Sequence, residues 1–366
     1  MDLNEKVRGF WPALFVLVVL IGFVLYRLAI KDWDPVGLSE IGTIYRDGDS
    51  NGSEGYDGQF AYYIALNPNP TAVANQLDVP AYRYQRILYP ILARILSLGQ
   101  ESWIPWTLIL INVLSQVVGT ALLCIVFTDL QVPVRYSLIY GLWAGLVVGV
   151  GTDLYEPLSF CLVMAAILAR HKEKKWLSNI LLAISLFAKE TAILFWAAMV
   201  LADLFKKKKP AEILLILMPG ILYAFWQGWL KYQFGTFGLG SGGAMATPFE
   251  WIPYGGFFRI ASAGFEVLVI FIIIFGPSII LPNVWGTIAS VRLLLKGRFS
   301  FMNWALLLNT IFITFLPFST FREPLGLVRV STGMVLTLVI FSAFNHLNRV
   351  LNLGMFWIAL LVLVLR

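Results

Sequence analysis

The feature that most constrains this chain is a series of apolar runs, the first from Phe10 to Ile30, that recur to the C-terminus. Such runs match the length needed to cross a hydrocarbon core, about 20 residues of helix. Only helices and closed barrels satisfy every backbone group in lipid, and these runs are continuous rather than alternating, so helices are expected. Composition points the same way: 59% of residues are hydrophobic and 13% are charged, against about 25% charged in a soluble domain. The expected fold class is an all-α polytopic membrane protein, with residues 1–366 forming one integral membrane domain.

The net charge of +6 does not point to nucleic acid. Basic residues gather in short connections: Lys6 with Arg8, Arg170 to Lys175, Lys206 to Lys209, and Arg292 with Lys296 and Arg298. Such clusters mark cytoplasmic loops and attract anionic lipid. The first run has a basic start and no small-residue cleavage site, which reads as a retained anchor. Crossings are expected at Phe10–Ile30, Ile104–Phe127, Tyr136–Val150, Leu158–Ala169, Ile213–Leu230, Phe265–Leu295, Met302–Phe318, Leu327–Ala343 and Val350–Leu365. The Trp176–Phe205 segment is basic at both ends, so it reads as two short helices joined at Ala188-Lys189-Glu190-Thr191. That makes about eleven crossings. Pro277 and Pro282 are expected kinks in the Phe265–Leu295 helix.

Two long connections then fall on the extracytoplasmic side, residues 31–99 and 231–262. The first carries eight of the chain's 21 acidic residues and four arginines. Long ordered loops are usually functional, and this one is too aromatic for a disordered linker. Within it, Tyr82 to Leu98 has apolar residues at helical spacing with Arg83, Arg86 and Arg94 between them, the pattern of an amphipathic interfacial helix. The glycine-rich second loop, with no strand before it, reads as a flexible loop or lid rather than a nucleotide fingerprint.

The remaining polar stretches also fall on that side. They offer carboxylates (Asp47, Asp49, Asp57, Asp153, Glu156) and cations (Arg83, Arg86, Lys189, Arg322, Arg329). A carboxylate can deprotonate a hydroxyl nucleophile, and Arg or Lys can hold a phosphate. Blander roles exist for each: Asp57-Gly58 is a common turn pair, Glu156 favours a helix start, Lys189 can pair with Glu190, and Arg322 and Arg329 can bind lipid headgroups. Cys124 and Cys161 read as packed core thiols. His171 and His346 fall in cytoplasmic loops, so no histidine metal cluster is expected; no cofactor is implied, and a divalent cation held by carboxylates alone is the alternative left open.

The stretch Glu54 to Pro68 followed by Ala81 to Leu96 resembles bacterial membrane proteins of the GT-C glycosyltransferase superfamily. More distantly it is similar to the second mannosyltransferase of GPI-anchor synthesis. That family carries a Trp-Asp-x-x-His-aromatic motif in its first outer loop and a later stretch rich in aromatics and proline. Tyr56 to Phe60 would occupy the first motif, with Tyr in place of Trp and Gln59 near the histidine position; Tyr84 to Pro90 would occupy the second. Leu154-Tyr155-Glu156-Pro157 and Lys189-Glu190-Thr191 also look like the bacterial relatives. The resemblance implies transfer of a sugar from a polyprenyl-phosphate donor, with inversion, to a hydroxyl of a glycan or glycolipid acceptor at the outer face of a bacterial inner membrane. On that resemblance Asp57 is the general base, with Asp47 and Asp49 as competitors. Lys189, Arg322 and Arg329 bind the donor phosphate. Tyr56, Gln59, Arg83, Arg86, Glu156 and Glu190 contact substrate, and Tyr62 and Tyr63 stack on sugar rings.

A lipid-linked sugar flippase or secondary transporter is the main alternative, although transporters place ionisable residues near the bilayer midplane on broken helices. A non-catalytic scaffold of the cell envelope would not need carboxylates and cations to converge.

Overall fold

The structure, a computed structural model, describes residues 3–204 and 210–365, with side chains described from residue 9. The basic run Lys206 to Lys209 and the side chains of Lys6 and Arg8 lie outside the described residues. Among the described residues the chain is helical throughout, with no strand beyond an isolated bridge between Ile41 and Gly55.

Four helices are long and apolar enough to cross a membrane: Gly9–Ile30, Glu101–Asp129, Pro210–Phe234 and Phe265–Leu295. Two broken pairs raise this to six if each pair is one span. The expected eleven crossings are therefore not reproduced. Glu156–His171 has 16 residues, Lys175–Ala188 and Phe301–Thr314 have 14, and Ile193–Leu204 has 12. At 1.5 Å per residue the longest of these is about 24 Å, short of a core about 30 Å thick.

The breaks have local causes. Val134–Gly141 and Ala144–Gly151 meet at 52°, where a single straight helix was expected. Trp143 there is extended (φ −62, ψ 123), and its indole N–H donates to the Val328 carbonyl at 2.8 Å. Gly145 lies against the same carbonyl, closer than any Cβ could approach. In lipid there is no hydrophobic drive between helices, so close backbone approach and polar bonds carry much of the packing. The partner helix Pro324–Val330 in turn meets Thr332–Phe344 at 44°, again where one helix was expected. In the Phe265–Leu295 span, Pro277 is absorbed by a π-helical turn at Gly276–Ile280, and Pro282 sits in the first turn after it. Both accommodations follow from the missing proline N–H.

The segment 31–99 is a folded cap. Gly58–Leu66 and Leu88–Leu96 pack on Ile104–Asp129 through Ala61, Tyr89, Ala93 and Leu108. Phe60, Tyr63 and Tyr84 reach the other way to Leu230 and Trp226. Asn112 adds buried polar bonds, to the Tyr89 hydroxyl at 2.8 Å and the Gly149 carbonyl at 3.1 Å. The expected amphipathic helix from Tyr82 to Leu98 is two pieces, Pro80–Tyr84 and Leu88–Leu96. Its arginines do not face a membrane surface. Arg83 and Arg86 are buried, and Arg94 donates to the carbonyls of Ala65 and Leu66. Internal carboxylates and carbonyls, not the interface, take the bonds of these three guanidinium groups.

Candidate functional site

Helix starts and breaks bring one charged cluster together. Glu156 opens the Glu156–His171 helix, with Pro157 in its first turn. Lys189 is extended (φ −157, ψ 133) between Lys175–Ala188 and a short turn beginning at Glu190, the break expected from the sequence. Arg329 comes from the bent Pro324–Val330 helix, and Asp57 from the residue before Gly58–Leu66. Gly58 makes that position possible. Its Cα lies so close to the Thr152 carbonyl that a Cβ has no room, so the cap presses directly on the connection before Glu156.

The pairs run as a chain. Asp78 takes Arg83 through Nε at 2.6 Å and Nη2 at 2.8 Å. Arg83 Nη1 lies 2.9 Å from Asp57 Oδ1. Asp57 Oδ2 accepts from Arg329 Nη2 at 2.7 Å. Arg329 Nε donates to Glu156 Oε1 at 2.9 Å, and Lys189 Nζ donates to the same oxygen at 2.7 Å. Beside this chain, Arg86 forks onto Glu190 at 2.7 and 2.6 Å. The rings of Phe60, Tyr82 and Tyr155 lie against Arg83 and Arg86 at 4.2 to 5.3 Å. Ion pairs this deep are poor stabilisers, since desolvation offsets most of the Coulomb gain. Their retention points to function.

Burial alone pushes the Asp57 carboxyl up, but the guanidinium groups of Arg83, Arg329 and Arg86 outweigh it and hold the group well below the usual carboxylate range. Asp78 is held down in the same way: its burial is outweighed by Arg83 and by the backbone N–H groups of Ala244 and Val79. Asp57 is thus a fixed negative charge with both oxygens engaged.

The cluster lines a cavity of about 1040 Å³. Its lining holds Asp57, Arg83, Arg86, Lys189, Glu190 and Arg329, together with Phe249, Phe312, Leu316, Arg322 and Glu323. Residues 239–249 form the roof, tied down where Ala244 N–H donates to Asp78 Oδ2 at 3.1 Å and Thr247 N–H to Ser319 Oγ at 3.0 Å. Next to the charged wall, a separate apolar groove of about 380 Å³ runs between Ile87, Leu88 and Ile91, Ile180 to Phe187, and Met218 and Leu222.

Several expected site residues sit elsewhere or do other work. Gln59 lines the cavity, but both ends of its amide are used by backbone, from Gly42 N–H at 3.0 Å and to the Glu54 carbonyl at 2.7 Å. Its role is to hold the cap. Glu156 is fully buried behind the cavity, a counterion rather than a contact surface. Arg322 is on the cavity rim but outside the ion chain, its guanidinium 5.9 Å over Phe318. Tyr62 and Tyr63 pack against each other in the cap. Asp47 pairs with Arg46 at 2.8 Å on an exposed turn, and Asp49 accepts from Asn51 N–H there; neither lines the cavity. Asp153 is buried with Ser39 Oγ at 2.7 Å. Cys124 and Cys161 are buried free thiols.

Glu323 was missed by sequence reading. Before Pro324 it looks like an ordinary acidic helix start, yet its Oε1 accepts from the Tyr56 hydroxyl at 2.9 Å, and that hydroxyl accepts from Arg329 Nη1 at 2.9 Å. Asp78 was likewise passed over. Among the described residues no three His, Cys, Asp or Glu side chains are grouped to hold a metal ion. Comparison with protein-family models, curated proteins and solved structures finds no match for this chain.

Proposed function

We propose that this chain is a membrane glycosyltransferase that moves a sugar from a polyprenyl-phosphate donor to a hydroxyl acceptor, with inversion. The observation that carries the reading is one carboxylate, Asp57, fixed among three cavity-lining cations, with an apolar groove alongside. The donor phosphate meets Arg83, Arg329 and Lys189, with Arg86 beside them, and its isoprenoid chain lies in the groove past Ile87 and Phe187. The acceptor oxygen attacks the anomeric carbon, the bond from that carbon to the phosphate oxygen breaks, and the electron pair leaves with polyprenyl phosphate. The acceptor proton passes to Asp57. At rest the two arginines make Asp57 a weak base; a donor phosphate competes for the same guanidinium groups and loosens their hold as charge grows on the leaving group. The reading places the cavity on the extracytoplasmic side of a bacterial inner membrane, the acceptor being a glycan or glycolipid. Asp57, Arg83, Arg86, Lys189 and Arg329 form the core of the site; Arg322 guards its rim.

The test is transfer from a panel of polyprenyl-phosphate sugars and nucleotide sugars, with product anomeric configuration read by NMR. Inverted product from the lipid donors alone fits the reading. Retained configuration, or transfer from nucleotide sugars alone, removes it.

One observation favours a second reading. Lys189 and Glu190 stand at a break between two half-length helices, as in the ion sites of secondary transporters. Movement of a lipid-linked sugar across vesicle membranes without any transfer would establish the chain as a flippase.

A further inference from the structure

We propose that the cavity wall formed by Phe249, Phe312 and Glu323 is a subsite for the sugar acceptor, with Glu323 receiving hydroxyl hydrogens and Phe249 carrying the ring's apolar face. This deepens, and rests on, the glycosyl-transfer reading. Glu323 occupies the N-cap position of Pro324–Val330 in extended backbone (φ −102, ψ 105). Ser, Thr, Asp or Asn at that position accepts a hydrogen bond from the second or third helical N–H. Glu323 makes none and reaches out to Tyr56 instead. Among the described residues no hydrogen bond or ion pair meets its other oxygen, Oε2, and the residue is exposed on the cavity wall.

Phe249 is 53% exposed, yet it is not loosely placed. Its ring packs on Phe312 at 5.8 Å, and the N–H groups of Glu250 and Tyr254, just after it in the chain, donate to the carbonyls of Phe315 and Thr314. A half-open phenyl face and a carboxylate with a spare oxygen, both lining one cavity, fit a sugar ring: C–H groups pack on the aromatic plane, and hydroxyls donate to the charged acceptor. The negative charge of Glu323 repels phosphate, so the donor phosphate is left to the cations and the acceptor hydroxyls to Glu323. The bonds from Glu323 through Tyr56 and Arg329 to Asp57 place a hydroxyl held at Glu323 on the side of the cavity from which Asp57 is approached.

The test uses the full chain in lipid nanodiscs and saturation-transfer NMR with methyl α-mannoside and methyl β-glucoside, no donor present. Wild type should give saturation transfer to at least one glycoside. Glu323→Gln and Phe249→Leu should each weaken it about tenfold, while Glu173→Gln, on an exposed connection remote from the cavity lining, leaves it unchanged. Phe249→Leu decides the matter if Glu323→Gln fails to fold. No saturation in wild type, or folded variants that bind as wild type does, overturns the proposal. Saturation lost in the variants, with no sugar transfer from any lipid donor, upholds the subsite while removing the glycosyl-transfer reading.

Discussion

Arg329 and Asp57 lie 272 residues apart in the chain and 2.7 Å apart in the fold. The same guanidinium also bonds the Tyr56 hydroxyl and Glu156. One side chain thus joins the cap to the helix behind the cavity, from a helix, Pro324–Val330, that is bent by 44° from its continuation. Arg329→Lys keeps the charge but loses the planar fork that meets three partners. Transfer in single turnover should fall at least about 100-fold, with Lys189→Arg losing less. Equal activity in Arg329→Lys contradicts the assigned geometry.

Glu156 Oε1 accepts from Lys189 Nζ and also from Arg329 Nε. Glu156→Gln leaves two buried cations undercompensated, and breaking such a pair costs about 3–5 kcal/mol. The thermal midpoint should fall sharply, and Glu156→Gln with Lys189→Met should recover part of the loss. Full additivity of the two substitutions contradicts direct coupling.

Gly58 meets the Thr152 carbonyl with no space for a Cβ. Gly58→Ala should cost about 1–3 kcal/mol through overpacking and displace Asp57, lowering activity with it. Gly228 in the Pro210–Phe234 helix has open space around its missing Cβ, and Gly228→Ala should be neutral or stabilising. Similar midpoints for the two variants contradict tight docking of the cap.

Asp153, in the connection before Glu156, is pushed up to about 7 by burial, although the Ser39 hydroxyl and Arg27 pull it down. Its ordinary value is 3.8. Over that window the folded chain holds a proton that the unfolded chain has released, so this group makes stability fall as pH rises. Asp153→Asn keeps an oxygen for Ser39 and removes the titration. The thermal midpoint of wild type should drop relative to Asp153→Asn between pH 5 and 8; parallel curves contradict the assignment.

Much of the charged cluster was legible in the sequence, because carboxylates and cations gather in the few polar stretches of an otherwise apolar chain. Asp57, Arg83, Arg86, Lys189, Glu190 and Arg329 were all singled out, and they meet around one cavity. Their partners were not legible. Nothing local says that Arg83 turns to Asp78, or that Glu156 stands behind the cavity rather than in it. Glu323 was hidden by its place before proline, and Gln59 looked free only because its backbone partners are set by the fold. Helix number failed for a related reason: hydropathy registers an apolar run but not the bends at Trp143 and Ser331, nor how short the half-helices are.

The most direct test of the central claim is the transfer rate of Asp57→Asn beside wild type, with donor affinity measured separately on both. The account predicts a rate loss of about 100- to 10,000-fold, with donor binding retained through Lys189, Arg83 and Arg329. Wild-type turnover in Asp57→Asn, or turnover lost only in Asp47→Asn or Asp49→Asn, would contradict it.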